Sequence, residues 1–278
     1  MNRFVENSEI IKPGELQRYS RQIADEFLIK MASHPPLVVE LAFHPTWAAY
    51  EKKLNRTILD AIYSEKKADH FIIHFCEERL QDVPLSVFHG WLEMELASCT
   101  LRLHHNLYYC NFRRSILPLF PVSGLAENFA RELVEYIESG LKRYLATRML
   151  IEFEHGLYQV YFYFFKMSPN SEEKDEYRKT IPHHWSRSLF LCRRLREFIP
   201  ICLLAYRNID FAKDLKSSWW KYHEYLLSED QTLLEELATI PEQSFKSPYA
   251  DQLVEMFKKV RPRLLIHQNQ ITPPIVLH

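Results

Sequence analysis

Glycine sets the first limit on this chain. Gly14, Gly90, Gly124, Gly140 and Gly156 are all it has in 278 residues, and no two stand close together. An average protein carries about 7% glycine. A GxGxxG dinucleotide loop, a GxxxxGK[ST] phosphate loop and a GxSxG nucleophile elbow are therefore absent. Folds that depend on many tight glycine turns are also disfavoured. Long elements with few sharp corners remain, and 47% hydrophobic residues supply an ordinary core.

Apolar periodicity reads mainly as α-helix. Leu16, Tyr19, Ile23, Phe27 and Met31 step at helical intervals until His34-Pro35-Pro36. Pro45 can open a short helix through Trp47. Ile58, Ile62, Ile72, Cys76 and Leu80 predict another, ending before Pro84. From Ser86, the steps Leu92, Leu96, Cys99, Leu103 and Leu107 predict a helix running to Phe112. The longest candidate starts near Ser123 and runs on towards Phe165, with a break expected at Gly140 or Gly156. Further helices are expected over about 185–207, 211–228, 230–239 and 248–260.

The expected fold is mainly α, an irregular multi-helix bundle. Two stretches, 99–112 and 149–165, also alternate enough to allow short β-hairpins. The polar segment 168–182 reads as a loop linking an N-terminal helical region, 1–167, to a C-terminal one, 183–278, the two packing as one globular unit. The segment from Ile271 to Leu277 reads as an extended apolar tail.

Charge excludes some partners. Lys plus Arg is 35 and Asp plus Glu is 36, so there is no global footprint for nucleic acid or an anionic membrane. Locally, residues 187–207 hold five arginines against Glu197, and residues 222–245 are acidic with no Lys or Arg. Two helices that face each other or solvent explain this; an anion-binding patch is the sharper alternative. The five cysteines lack CxxC spacing and have apolar neighbours, as expected of free thiols in a reducing compartment. The N-terminus shows no secretory signal. The densest apolar run, Leu157–Phe165, falls short of the roughly 18 residues of a membrane span. A soluble, cytoplasmic protein is expected.

Several constellations can carry chemistry. Ile137, Leu141 and Tyr144 continue as a stripe through Arg148, Glu152, His155 and Gln159, so polar residues inherit a core-facing position. A buried carboxylate needs a partner or a metal. Glu152 and His155 have the Glu-x-x-His spacing of carboxylate-bridged iron bundles, but no second copy of the motif exists. The bland alternative is an Arg148–Glu152 ion pair on a solvated edge. His70 and His74, four apart on the predicted helix, are the next candidate metal ligands. Glu93 and Glu95 could add carboxylates, though on one helix they cannot both point inward. The adjacent pairs His104-His105 and His183-His184 diverge too far to chelate.

Trp219, Trp220, Tyr222 and Tyr225 form an aromatic cluster that suits either a core or an interface. With the tail residues Ile275, Val276 and Leu277 they are the candidate partner-binding residues. With no catalytic fingerprint, the favoured function is a helical protein-binding adaptor or accessory subunit of a larger assembly. The alternative is a non-haem enzyme using iron or another divalent metal, with a carboxylate/histidine site inside the helices. The small-molecule ligand is not specified by either reading.

Overall fold

The computed structural model describes residues 10–12, 14–31, 37–54, 60–104, 109–119, 125–167 and 171–265. The fold is mainly α, with one small sheet. Its elements are α1 (Leu16–Lys30), β1 (Val39–His44), α2 (Trp47–Leu54), β2 (Ile62–Lys66), β3 (Phe71–Cys76), α3 (Glu77–Leu80), α4 (Leu85–Leu103) and α5 (Leu125–Glu152). They continue as α6 (Gly156–Lys166), α7 (Ser171–Thr180), α8 (His184–Tyr206), α9 (Ala212–Tyr222), α10 (Ser228–Gln243) and α11 (Tyr249–Leu265). Two compact units share them. The first falls within Met1–His104, Ala146–Lys166 and Ile209–Phe211; the second within His105–Leu145, Met167–Asn208 and Ala212–His278.

In the first unit, α4 packs against α6, α1 and β2. It buries Phe88, Trp91, Leu92, Met94 and Leu96, so residues on opposite sides of this helix both meet protein. That is the signature of a central helix. The sheet runs β1-β3-β2, with β1 parallel and β2 antiparallel to β3. Central β3 is buried at Phe71, Ile73, His74, Phe75 and Cys76, and the Phe75 ring lies 6.1 Å from Phe88 of α4.

This sheet corrects the expected helix over 58–80. Ile62, Ser64, Phe71, Ile73 and Phe75 alternate inward at the strand period. Lys67 N–H donates to the His70 carbonyl (2.8 Å) and closes the turn between β2 and β3. The run Phe71-Ile72-Ile73-His74-Phe75-Cys76 is rich in β-branched and aromatic residues, which suits a strand covered on both faces.

Of the two readings open at 99–112 and 149–165, the described residues take the helical one and not the hairpin. Cys99–Leu103 complete α4, and Phe112–Ile116 form a short π-helical turn; residues 105–108 lie outside the described residues. Residues 149–165 are the end of α5, a turn and α6.

In the second unit α8 packs against α7, α9, α10 and α11. Gly140 lies inside α5 without breaking it. A Cβ there would stand 3.0 Å from both Leu195 Cβ and Ile199 Cδ1 of α8, so glycine permits close packing. The segment expected as a loop at 168–182 contains α7. Glu172 and Glu173 occupy its first turn and Arg178 and Lys179 its last, each sign complementing the helix dipole. Its fully buried Tyr177 anchors it.

The arginine-rich and acidic segments belong to α8 and to the chain around α10. Arg187 Nε donates to Asp230 Oδ2 at 2.7 Å and its Nη2 to Glu229; Arg207 Nη2 reaches Glu242 at 2.6 Å. Arg193 and Arg194 instead pair with Glu176 and Glu173 of α7. Among the described residues, no helix is long and apolar enough to cross a membrane.

Candidate metal centre

The centre is built where α5 ends. Glu154 takes φ of +66°. His155 N–H then donates to the Leu150 carbonyl at 2.8 Å and Glu154 N–H to Ile151 at 2.9 Å. These are the paired bonds of a Schellman ending, with Glu154 in the left-handed position that glycine usually fills. The turn separates the polar stripe into two parts. Glu152 stays outside, its side chain 62% exposed, and accepts from Arg148 Nε at 3.1 Å. His155 is turned inward and is buried.

From α4 come His89 and Glu93, four apart and so on one face. Glu93 is fully buried. His89 Nε2–H donates to Glu93 Oε1 at 3.1 Å, and His155 Nδ1–H donates to the same oxygen. Lys30 Nζ donates to the Phe153 carbonyl at 3.1 Å and to His155 Nε2. That contact leaves the proton of a neutral His155 on Nδ1, facing Glu93. The Tyr158 ring stacks on His89 at 3.9 Å and 7°. Burial raises the pKa of the Glu93 carboxyl, but bonds from His155 and His89 outweigh it and hold the group below the usual carboxylate range.

Close approach of α4 and α6 brings these pieces together. A Cβ on Gly90 would fall 2.2 Å from the Tyr158 carbonyl oxygen. Only glycine allows this seam, and Gln159 Nε2 spans it to the Gly90 carbonyl at 3.0 Å. All of these residues belong to the first unit.

His89, Glu93 and His155 offer one ligand atom each within 4.8 Å of one another. Two imidazoles and one carboxylate are the donor set of three-ligand transition-metal sites, which leave coordination positions open. Glu93 Oε2 is buried with no hydrogen-bond partner among the described residues. An orphaned buried acceptor costs about 1–3 kcal/mol, and a cation, or a water bound to one, would remove that penalty. The residues present therefore fit a divalent metal.

Of the sequence-predicted ligands, His155 belongs to this cluster, as does Glu93 of the carboxylates that could add to them; Glu152, His70 and His74 do not. His70 lies in the β2–β3 turn, where Nδ1 meets Asp69 at 2.7 Å. His74, on β3, has Nδ1 3.0 Å from His44 Nε2 and Nε2 3.4 Å from Glu65 Oε1. Glu93 points inward, whereas Glu95 accepts from the Ser64 hydroxyl at 2.7 Å. His89 is not among the sequence-predicted ligands; the signal that points to it is its i, i+4 spacing to Glu93 on α4.

The aromatic cluster lies in the second unit, where Trp219 supplies core and Trp220, Tyr222 and Tyr225 are half-buried. Trp219 is 1% exposed, 4.3 Å from Phe198 and stacked on His223 at 3.8 Å. Trp220 Nε1 donates to Glu235 at 2.9 Å, and the Tyr225 ring is 5.6 Å from Tyr177. Ile275, Val276 and Leu277 lie outside the described residues.

The fold and the cluster define a mainly α protein with a buried two-histidine, one-carboxylate constellation. No protein-family description, curated protein or solved structure matches the chain; its own residues must carry any functional reading.

Proposed function

We propose that this protein is a metal-dependent enzyme whose centre is His89, Glu93 and His155. The observation that carries the reading is the convergence of these three donors on one point, with the second oxygen of the buried carboxylate unsatisfied. A bound divalent metal, iron(II) first, would supply Lewis acidity and open positions for water or dioxygen. The protein's part is to present one nitrogen each of His89 and His155 and one oxygen of Glu93; His155 can bind through the nitrogen facing Glu93 only once that nitrogen has lost its proton. Tyr158 holds the His89 ring by stacking, and the α5 ending fixes His155. The free thiols support a reducing, cytoplasmic setting.

Metal content after anaerobic loading with iron(II), manganese(II) or zinc(II) tests the reading. About one ion per chain is expected, lost in Glu93→Ala and kept in Glu152→Ala, since Glu152 is committed to Arg148. If no ion is retained, the cluster is a hydrogen-bonded pin between α4 and the α5–α6 turn. A second reading, a protein-binding accessory subunit, then takes precedence. Its support is Ile29 and Val38, 72% and 56% exposed in the first unit. Its test is loss of a stoichiometric complex in the double substitution Ile29→Asp, Val38→Asp.

A further inference from the structure

Gln159 is the member of the sequence stripe that the metal reading leaves unused. It is fully buried, four residues after His155, and it reaches α4 beside His89. Its amide orientation is fixed by chemistry. Only Nε2 can donate to the Gly90 carbonyl, so Oε1 is the end left over. That oxygen, like Glu93 Oε2, is buried without a partner among the described residues. Gly90 and Glu93 are one turn apart on α4. The same short stretch of the α4–α6 seam thus carries two orphaned atoms, and both are acceptors.

Two acceptors cannot satisfy each other. They call for a donor with two hydrogens, and buried water ordinarily fills such places. Acceptor-only ligands, including simple anions, would leave both atoms unsatisfied. We propose that Gln159 Oε1 and Glu93 Oε2 hold the two hydrogens of the water that completes the metal's coordination, so that the centre prefers a protic ligand. This rests on the metal reading above. Gln159 is then a positioning residue: it orients the exogenous ligand through hydrogen bonding and does not touch the metal.

Manganese(II) is the probe, because its free ion and its bound water are both directly measurable. The variants are Gln159→Leu, which removes both ends of the amide, and Gln159→Glu, which keeps an acceptor and loses the donor to Gly90. Free-ion paramagnetic resonance gives the affinity, and water-proton relaxation reports the bound water. Thermal midpoints with and without manganese separate a metal effect from a folding effect. Gln159→Leu should bind manganese about tenfold or more weaker, with the bound-water signal lost and the metal-dependent rise in midpoint reduced. Gln159→Glu should restore affinity and bound water.

Equal affinity and hydration in Gln159→Leu and the unaltered chain would overturn the role of Gln159 while leaving the metal centre standing. Equal losses in both variants would assign the effect to the Gly90 tether and also overturn it. An unaltered chain that binds no manganese, iron or zinc overturns both proposals together.

Discussion

Glu154 occupies a left-handed conformation that a side chain adopts at a penalty of about 1 kcal/mol. It is exposed, and its position is the one where helices usually end in glycine. Glu154→Gly should therefore raise stability by about 0.5–1 kcal/mol, read as a higher urea midpoint. Metal affinity should be unchanged, because the Schellman bonds that orient His155 are backbone bonds. A lower midpoint would mean that the Glu154 side chain contributes something its exposure does not suggest. At this scale the sequence was partly legible. The stripe from Ile137 puts His155 and Gln159 at core positions, and both are buried. The restriction that Glu93 and Glu95 cannot both point inward fails, because α4 meets protein on opposite sides and Glu95 is half-buried against the buried Ser64. Glu152 was misplaced because helical periodicity cannot anticipate a left-handed turn at a glutamate. The i, i+4 pair His89 and Glu93 lies on a helix that periodicity predicts, but periodicity alone does not single out one histidine of thirteen as the partner of Glu93.

At the scale of elements, the α4–α6 seam depends on one missing methyl group. Gly90→Ala would place a Cβ against the Tyr158 carbonyl and 3.1 Å from Phe162 Cβ. Backbone must move, with a loss of about 1–3 kcal/mol typical of overpacking. Because His89 and Glu93 flank this residue, metal binding should weaken in the same variant. Retention of both stability and metal would show that the helices can separate without disturbing the donors.

The sheet predicts a pH response. Burial, then the neighbouring His74, lowers the His44 pKa below 6.5; burial also lowers that of His74, against opposition from Glu65. Lys53 and Lys67 reinforce this. The folded state thus binds fewer protons than the unfolded one. The stability is fully present above the unfolded value and is lost as pH falls below it towards the folded values. The urea midpoint should drop between about pH 7.5 and about pH 5.5, and His74→Phe should flatten the drop. An unchanged slope in that variant would remove His74 as its source. The strands were hidden because Ile58, Ile62, Ile72, Cys76 and Leu80 also fit a helical count. Choosing between the two patterns required weight on the β-branched and aromatic run at Phe71–Cys76. Likewise α7 reads as a loop by composition, and its helix depends on Tyr177 finding a buried place that only the fold provides.

At the scale of the whole molecule, the two units carry different polar centres, and these give separate handles. In the second unit, Asp230 is fully buried. It accepts from Arg187 Nε at 2.7 Å and from Tyr177 Oη at 2.5 Å. Burial and then this bond to Asp230 push the Tyr177 hydroxyl up to about 12, so it stays a donor throughout the ordinary pH range. Among the described residues, Asp230→Ala leaves the buried Arg187 with Glu229, whose side chain is 63% exposed, as its remaining ion-pair partner. Breaking a buried pair in this way costs about 3–5 kcal/mol. Hydrogen exchange should accordingly quicken in α7, α8 and α10 of that variant. A divalent ion at about a hundred times its dissociation constant should add about 2.7 kcal/mol. It should slow exchange in α4, α6 and Ala146–Glu152, the segments that carry or support its ligands. If each change stays within its own unit, the units open as separate cooperative bodies. If manganese restores protection around Asp230→Ala, or the substitution erodes protection in α4, the units unfold as one. Metal occupancy would then set the stability of the entire chain.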